Sequence, residues 1–135
     1  MAGRINTLGK GERLKSRKVI DALFSHGTAV HSSLFKTCYA VGAVDADHPL
    51  RVGVGVSTRK FKKAVERNRI KRLTREALRL QKHSLEKSLR EQKKSLSAFF
   101  LYTGREMPDF ATMMEKVGVI LRQLESDCQD DTANT

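Results

Sequence analysis

Tryptophan is absent from this 135-residue chain, and only two cysteines and two prolines occur. Cys38 and Cys128 stand 90 positions apart, with no CxxC pair and no histidine at ligand spacing, so neither a disulfide framework nor a zinc site is expected. Apolar runs last only a few residues, far short of the roughly 20 that a membrane-spanning helix needs. The opening stretch MAGRINTLGKGERL has no apolar core, which argues against a secretory signal. A reducing cytoplasm is the compartment that fits these absences. Acidic residues are also scarce in one place: residues 51–80 hold eleven Lys/Arg against Glu66 and Glu76 alone.

That segment therefore carries most of the net charge of +11. The last fourteen residues lean the other way, with Arg122 against Glu125, Asp127, Asp130 and Asp131. Charge concentrated in one segment is the footprint expected of a polyanion binder, whereas a merely solvated helix face mixes signs.

The length predicts one domain with a single core. Residues 1–12 read as a mobile arm, residues 13–125 as the folded domain, and residues 126–135 as a disordered acidic tail. Ser16 is placed to cap a first helix running to about Ser25, with Val19, Ile20, Leu23 and Phe24 on one face and Gly27 ending it. A short strand and a longer one follow, and Phe35, Thr37, Tyr39 and Val41 share a face of the second. In RVGVGVS the valines point one way while Gly53 and Gly55 leave the other side bare, as a close approach of backbone or ligand requires. A helix is predicted over about 62–80, and residues 81–96 read as its extension or an exposed connector. SAFFLYT is a last strand, Gly104–Pro108 a turn, and Asp109 an N-cap. Phe110, Met113, Met114, Val117, Ile120, Leu121 and Leu124 then trace the apolar stripe of a final helix. The order αβββαβα predicts a single-domain α+β sandwich with helices on one side of a small sheet.

On a wheel of about 100° per residue, Ile70, Leu73, Ala77 and Leu80 form the core seam of the basic helix. Arg67, Lys71, Arg75 and Arg79 form an i, i+4 row, with Arg72 and Asn68 inside the same arc. Arg69 alone lies near the apolar edge, where it is expected to reach the sheet or the preceding loop. Like charges this close repel, so the face calls for a dense anion. Arginine suits planar, bidentate contact with phosphates and base edges, and Asn68 adds a donor and an acceptor amid pure donors. It serves equally as a helix-start hydrogen bond.

Catalytic chemistry is not visible. Metal-assisted phosphodiester cleavage wants clustered carboxylates, but Glu66 and Glu76 face differently and only Asp45 and Asp47 are close in sequence. His26, His31, His48 and His83 form no paired motif, and GVGVST lacks the third glycine and the lysine of a nucleotide loop.

The segment AVERNRIKRLTREALR, residues 64–79, resembles the RNR signature of the bacterial ribonuclease P protein component. RVGVGVSTRKFKK before it resembles that family's strand and basic loop, and LFSHGTAVHSSLF resembles its first helix, turn and strand. The likeness is strongest over residues 13–80. It implies a small protein that binds a large catalytic RNA and the 5′ leader of precursor tRNA, assisting leader removal. The chemistry and its Mg2+ then belong to the RNA, with no cofactor at a defined protein site. It also implies an α/β sandwich with a left-handed βαβ crossover, and no membrane or obligate protein partner. Carried onto this chain, Arg67, Asn68, Arg69, Lys71, Arg72 and Arg75 contact the catalytic RNA from the helix, and Arg59, Lys60, Lys62 and Lys63 from the loop. Phe24, Phe35, Lys36 and Tyr39 are the candidates for a leader cleft between the first helix and the sheet, with ordinary core packing as the competing role for the aromatics. A ribosomal-type binder of structured RNA, or a duplex-DNA binder, is the competing reading of the charge.

Overall fold

The computed structural model describes residue 14 and residues 17–42 and 48–133. The expected N-terminal arm, the Ser16 cap and the turn holding Asp45 and Asp47 lie outside the described residues. The elements run α1 (Arg17–His26), β1 (Thr28–His31), β2 (Phe35–Gly42), β3 (Leu50–Val56), α2 (Ala64–Gln81), α3 (His83–Glu91), β4 (Ser95–Tyr102) and α4 (Phe110–Ala133). This is the expected α+β order with one helix more.

The four strands form one sheet in the order β1-β2-β4-β3. β2 pairs antiparallel with both β1 and β4, with Phe35 opposite Tyr102 and Gly42 opposite Ser95. β3 joins β4 in parallel, so α2 and α3 make the crossover between neighbouring strands. Alternation along β2 and β4 sends Phe35, Thr37 and Tyr39, with Leu96, Ala98, Phe100 and Tyr102, to one face. There they meet α2, α3 and α4 in the main core, where Ile70, Leu78, Leu89, Met113 and Val117 are fully buried.

The opposite face carries α1. Leu23 of α1 and Cys38 of β2 pack there with Leu14, Ile20 and Phe99 as a second, smaller cluster. Helices thus cover both faces, not one as the element order alone suggested, because β2 and β4 each carry apolar side chains in both phases. Of the predicted α1 face only Leu23 is buried; Val19 and Phe24 are each 39 % exposed, on the two flanks of the helix.

Two further expectations change. Residues 81–96 are no exposed connector: α3 buries Leu85 and Leu89 in the main core. Its end is a Schellman turn, with Lys93 at φ 55°, Lys94 N donating to Leu89 O at 3.0 Å and Lys93 N to Arg90 O at 3.2 Å. The segment from Ser126 is no disordered tail either. It continues α4 to Ala133, buries Cys128 in the core, and accepts bonds from Tyr39 Oη at Asp127 Oδ2 (2.9 Å) and from Lys94 Nζ at Cys128 O (3.0 Å). Its acidic composition hid one cysteine spaced four residues beyond Leu124, on the same apolar stripe.

Candidate nucleic-acid interface

α2 buries Ile70, Thr74, Ala77 and Leu78. Leu73 is half-buried and Leu80 is 43 % exposed, so the seam is rotated from the one read on the wheel. Thr74 makes the rotation possible, since its hydroxyl donates to Ile70 O at 2.8 Å and needs no water. The rotation leaves Asn68, Arg69, Arg72 and Arg75 exposed on the outer arc, with Lys71 at its edge. Val65 is 79 % exposed on the first turn, one helical turn from Arg69, so the charged arc includes an apolar spot.

Rotation also exchanges the roles of two arginines. Arg67, not Arg69, turns back on the loop: its Nη1 donates to Phe61 O at 2.9 Å and to Lys62 O at 2.7 Å. Phe61 itself is buried, its ring 6.0 Å from that of Tyr102, and Lys60 Nζ donates to Thr103 O. The loop between β3 and α2 is thereby pinned at three points, and Arg59, Lys62 and Lys63 stand exposed from it. Lys63 occupies the N-cap of α2 without a side-chain capping bond, so lysines flank the positive end of an 18-residue helix. At the far end of the arc Arg79 is paired with Glu76, Nε to Oε2 at 2.9 Å. The bond from Arg79 holds the Glu76 carboxyl below its ordinary pKa, and the same pairing raises that of Arg79.

The opposite face of the sheet holds a groove of about 400 Å3 between α1 and strands β2 and β4. Lys18, Val19 and His26 form its α1 wall, and Ala40, Gly42, Ser95 and Ser97 its floor, where short side chains leave the space open. Across α1, Phe24 meets Phe99 edge to face with ring centres 5.4 Å apart, and Lys36 Nζ lies 5.8 Å above the Phe24 ring. Phe99 lies over Gly53 and Gly55 of β3. A Cβ at Gly53 would stand 2.7 Å from the Phe99 ring and 3.1 Å from Leu14 O, and one at Gly55 2.8 Å from the same ring. The bare side of β3 read in the sequence is thus the bed of an aromatic side chain.

The candidate cleft residues are divided by this geometry. Phe24 and Lys36 stand on the α1 side. Phe35, 1 % exposed, and Tyr39, 5 % exposed, point to the other face. Phe35 packs edge to face against Phe100 and Tyr102, and neither ring presents a face on which a base could stack. Residues of odd number on β2 cannot share a cleft with Lys36, because side chains alternate.

A family model described as Ribonuclease P matches residues 8–125. The chain belongs to the ribonuclease P protein family. The ribonuclease P protein component of Porphyromonas gingivalis (strain ATCC 33277) is 37 % identical over 106 residues, covering 78 % of this chain and 77 % of that protein. That of Chlorobium phaeobacteroides is 30 % identical over 130 residues and covers 89 % of both. Among solved structures, the ribonuclease P protein of Thermotoga maritima superposes with a TM-score of 0.67 at 25 % identity, covering 83 % of this chain and 96 % of that one. The Staphylococcus aureus protein shares the fold, with a TM-score of 0.65 at 17 % identity over 84 % of this chain and 94 % of that one. Ribonuclease P is the enzyme of tRNA 5′ processing, and its protein component is the subunit that this chain resembles.

Within this ribonuclease P fold the surface aromatic missed in the sequence is Phe99. The signal was present: if Ala98, Phe100 and Tyr102 face the core, Phe99 must face α1. Cys38 lies on the same face under α1, where burial raises its thiol pKa and Lys36 offsets only part of that, so it remains a protonated, apolar neighbour of Leu23. No helix among the described residues is long and apolar enough to cross a membrane.

Proposed function

We propose that this chain is the protein subunit of a ribonuclease P holoenzyme. It binds the catalytic RNA through the outer arc of α2 and the loop before it, and the 5′ leader of precursor tRNA on the α1 side of the sheet. The observation that carries the reading is the two-sidedness of α2: Ile70, Thr74, Ala77 and Leu78 are buried while Asn68, Arg69, Arg72 and Arg75 are exposed. A rigid helix with its inner face fixed in the core presents its cations without further ordering, which suits repeated phosphate contact. Lys62 and Lys63, beside the uncapped start of the helix, extend that field. On the other face, Phe24 and Phe99 offer edges and a partly open ring for unpaired bases, and Lys36 a cation for the adjoining phosphates. The bond-breaking chemistry, with the Mg2+ it uses, is assigned to the RNA partner, and this chain contributes binding and orientation.

Reconstitution tests the reading. Added to a ribonuclease P RNA at low magnesium, the purified protein is expected to enhance cleavage of precursor tRNA, and Arg72→Ala to weaken that enhancement. No enhancement, together with tight association to ribosomes, would replace it with the structured-RNA alternative. Equal affinity for duplex DNA and folded RNA in competition would favour the DNA reading.

A further inference from the structure

Arg67 stands at the start of the cationic row, yet its guanidinium is turned away from the outer arc. One nitrogen, Nη1, spends its two hydrogens on two successive carbonyls, Phe61 O at 2.9 Å and Lys62 O at 2.7 Å. Those carbonyls precede the helix; the backbone bond Arg67 N to Lys63 O (3.2 Å) is the next acceptor along. The side chain is half-buried, and it closes the loop onto the first turn of α2.

We infer that Arg67 is a positioning residue that acts through Lys62 and Lys63, holding the loop so that these two cations project together from the start of α2. The loop is fixed on its inner side by Phe61 in the core and, three residues after Ser57, by the tie of Lys60 Nζ to Thr103 O. Between Phe61 and Ala64 the Arg67 side chain holds the Phe61 and Lys62 carbonyls, and the helix bond from Arg67 N holds that of Lys63. The two Nη1 hydrogens are held apart in the guanidinium plane and so meet two neighbouring acceptors, and a lysine ammonium, a single point charge on a shorter and flexible stem, does not reproduce that grip. Two lysines at the positive end of a helix repel each other and the helix dipole, so without the fork the loop relaxes away from the orientation that RNA would use.

This inference rests on the reading of α2 and its loop as an RNA-binding surface, and the experiment separates the two. Affinity for a ribonuclease P RNA transcript is measured for Arg67→Ala, for the Lys62→Ala/Lys63→Ala pair, and for the triple variant, with Arg72→Ala beside them. Amide hydrogen exchange over residues 60–63 is followed in the free protein. Arg67→Ala is expected to speed exchange in the loop and to weaken binding about tenfold, but less than about twofold once Lys62 and Lys63 are already alanine. Arg67→Lys, which keeps the charge but not the fork, is expected to behave like Arg67→Ala in both measurements. Unchanged loop exchange, additive losses, or full affinity in Arg67→Lys would each overturn the inference and make Arg67 a direct phosphate contact or a bystander. If Arg72→Ala and the lysine pair also leave affinity untouched, the RNA-binding reading falls, and the positioning role falls with it.

Discussion

Arg79 Nε donates to Glu76 Oε2 at 2.9 Å, and Arg79 Nη2 bonds the other oxygen, so a fork-on-fork ion pair sits on α2 where the cationic face ends. Arg79 belongs to the i, i+4 row that the sequence presents as uniform, but its charge is matched within the protein. The row available to an anion therefore fades after Arg75. Replacing Glu76 with Gln removes the match while keeping the shape. The expected outcome is tighter binding to ribonuclease P RNA at low salt, with a steeper salt dependence, by about 0.7–0.9 in the log–log slope for each phosphate gained. Arg79→Ala should leave that slope nearly unchanged, in contrast to Arg72→Ala. A drop in slope for Arg79→Ala as large as for Arg72→Ala would show that the pair opens on binding.

The same carboxylate, with Asp109, sets an acid limit. Asp109 Oδ1 accepts from Thr112 N at 2.7 Å as the N-cap of α4, and this bond lowers its pKa; Arg79 lowers that of Glu76. Both groups then hold protons less tightly in the folded chain than in the unfolded one, so as pH falls the unfolded state takes up protons first. Their stabilisation is complete above the ordinary carboxylate range, about 4–4.5, and is lost as pH falls through the depressed folded values. Carboxyl NMR titration should find both midpoints below those of unstructured Asp and Glu, and Asp109→Asn should shift the acid unfolding midpoint. Ordinary midpoints at both positions would contradict this account.

Thr37 is fully buried on the core face of β2, and among the described residues its Oγ1 is the one buried side-chain polar atom without a hydrogen-bond partner. Desolvating a hydroxyl without a partner costs about 1–3 kcal/mol, and valine has the same shape. Thr37→Val is therefore expected to stabilise the fold by about 1 kcal/mol in chemical denaturation. Destabilisation would mean that a buried water satisfies the hydroxyl.

How much of this was legible depends on what a residue's neighbours decide. The apolar stripe of α4 and the β-alternation of β2 and β4 are local patterns, and both appear in the structure, except that Phe110 at the head of the stripe is 38 % exposed. Which face each set would bury against was not local. Phe35 and Tyr39 looked like cleft aromatics because nothing in β2 alone says that α1 covers the even-numbered side. Likewise Leu78 and Leu80 are equally apolar, and α2 buries the first and exposes the second because the face holding Leu78 can also bury Thr74, whose hydroxyl is satisfied by Ile70 O. Composition misled at the C-terminus, where Asp127 and its acidic neighbours outweighed a single buried cysteine.

That cysteine carries a stability prediction. Cys128 is completely buried, its carbonyl accepts from Lys94 Nζ, and the preceding Asp127 accepts from Tyr39 Oη. Ending the chain after Glu125 removes all three contacts at once and should cost roughly 2–4 kcal/mol, from a lost core side chain and two lost acceptors. Tyr39→Phe isolates one of them and should cost about 1 kcal/mol. An unchanged denaturation midpoint after truncation would return these residues to the status of a tail.

Phe24 and Phe99 test the proposed leader side. The two rings meet edge to face at 5.4 Å, and Phe24 is exposed enough to meet a base, whereas Phe35 is not. Phe24→Ala is expected to weaken binding of precursor tRNA to the holoenzyme by about 1–3 kcal/mol, while binding of leaderless tRNA is unaffected. Phe35→Leu should lower thermal stability and leave the ratio between the two substrates as it was, since its ring touches only Phe100 and Tyr102 among the aromatics. Comparing each variant on substrates with and without a leader separates stacking from folding. Equal losses on both substrates for Phe24→Ala would remove the leader from this face of the sheet.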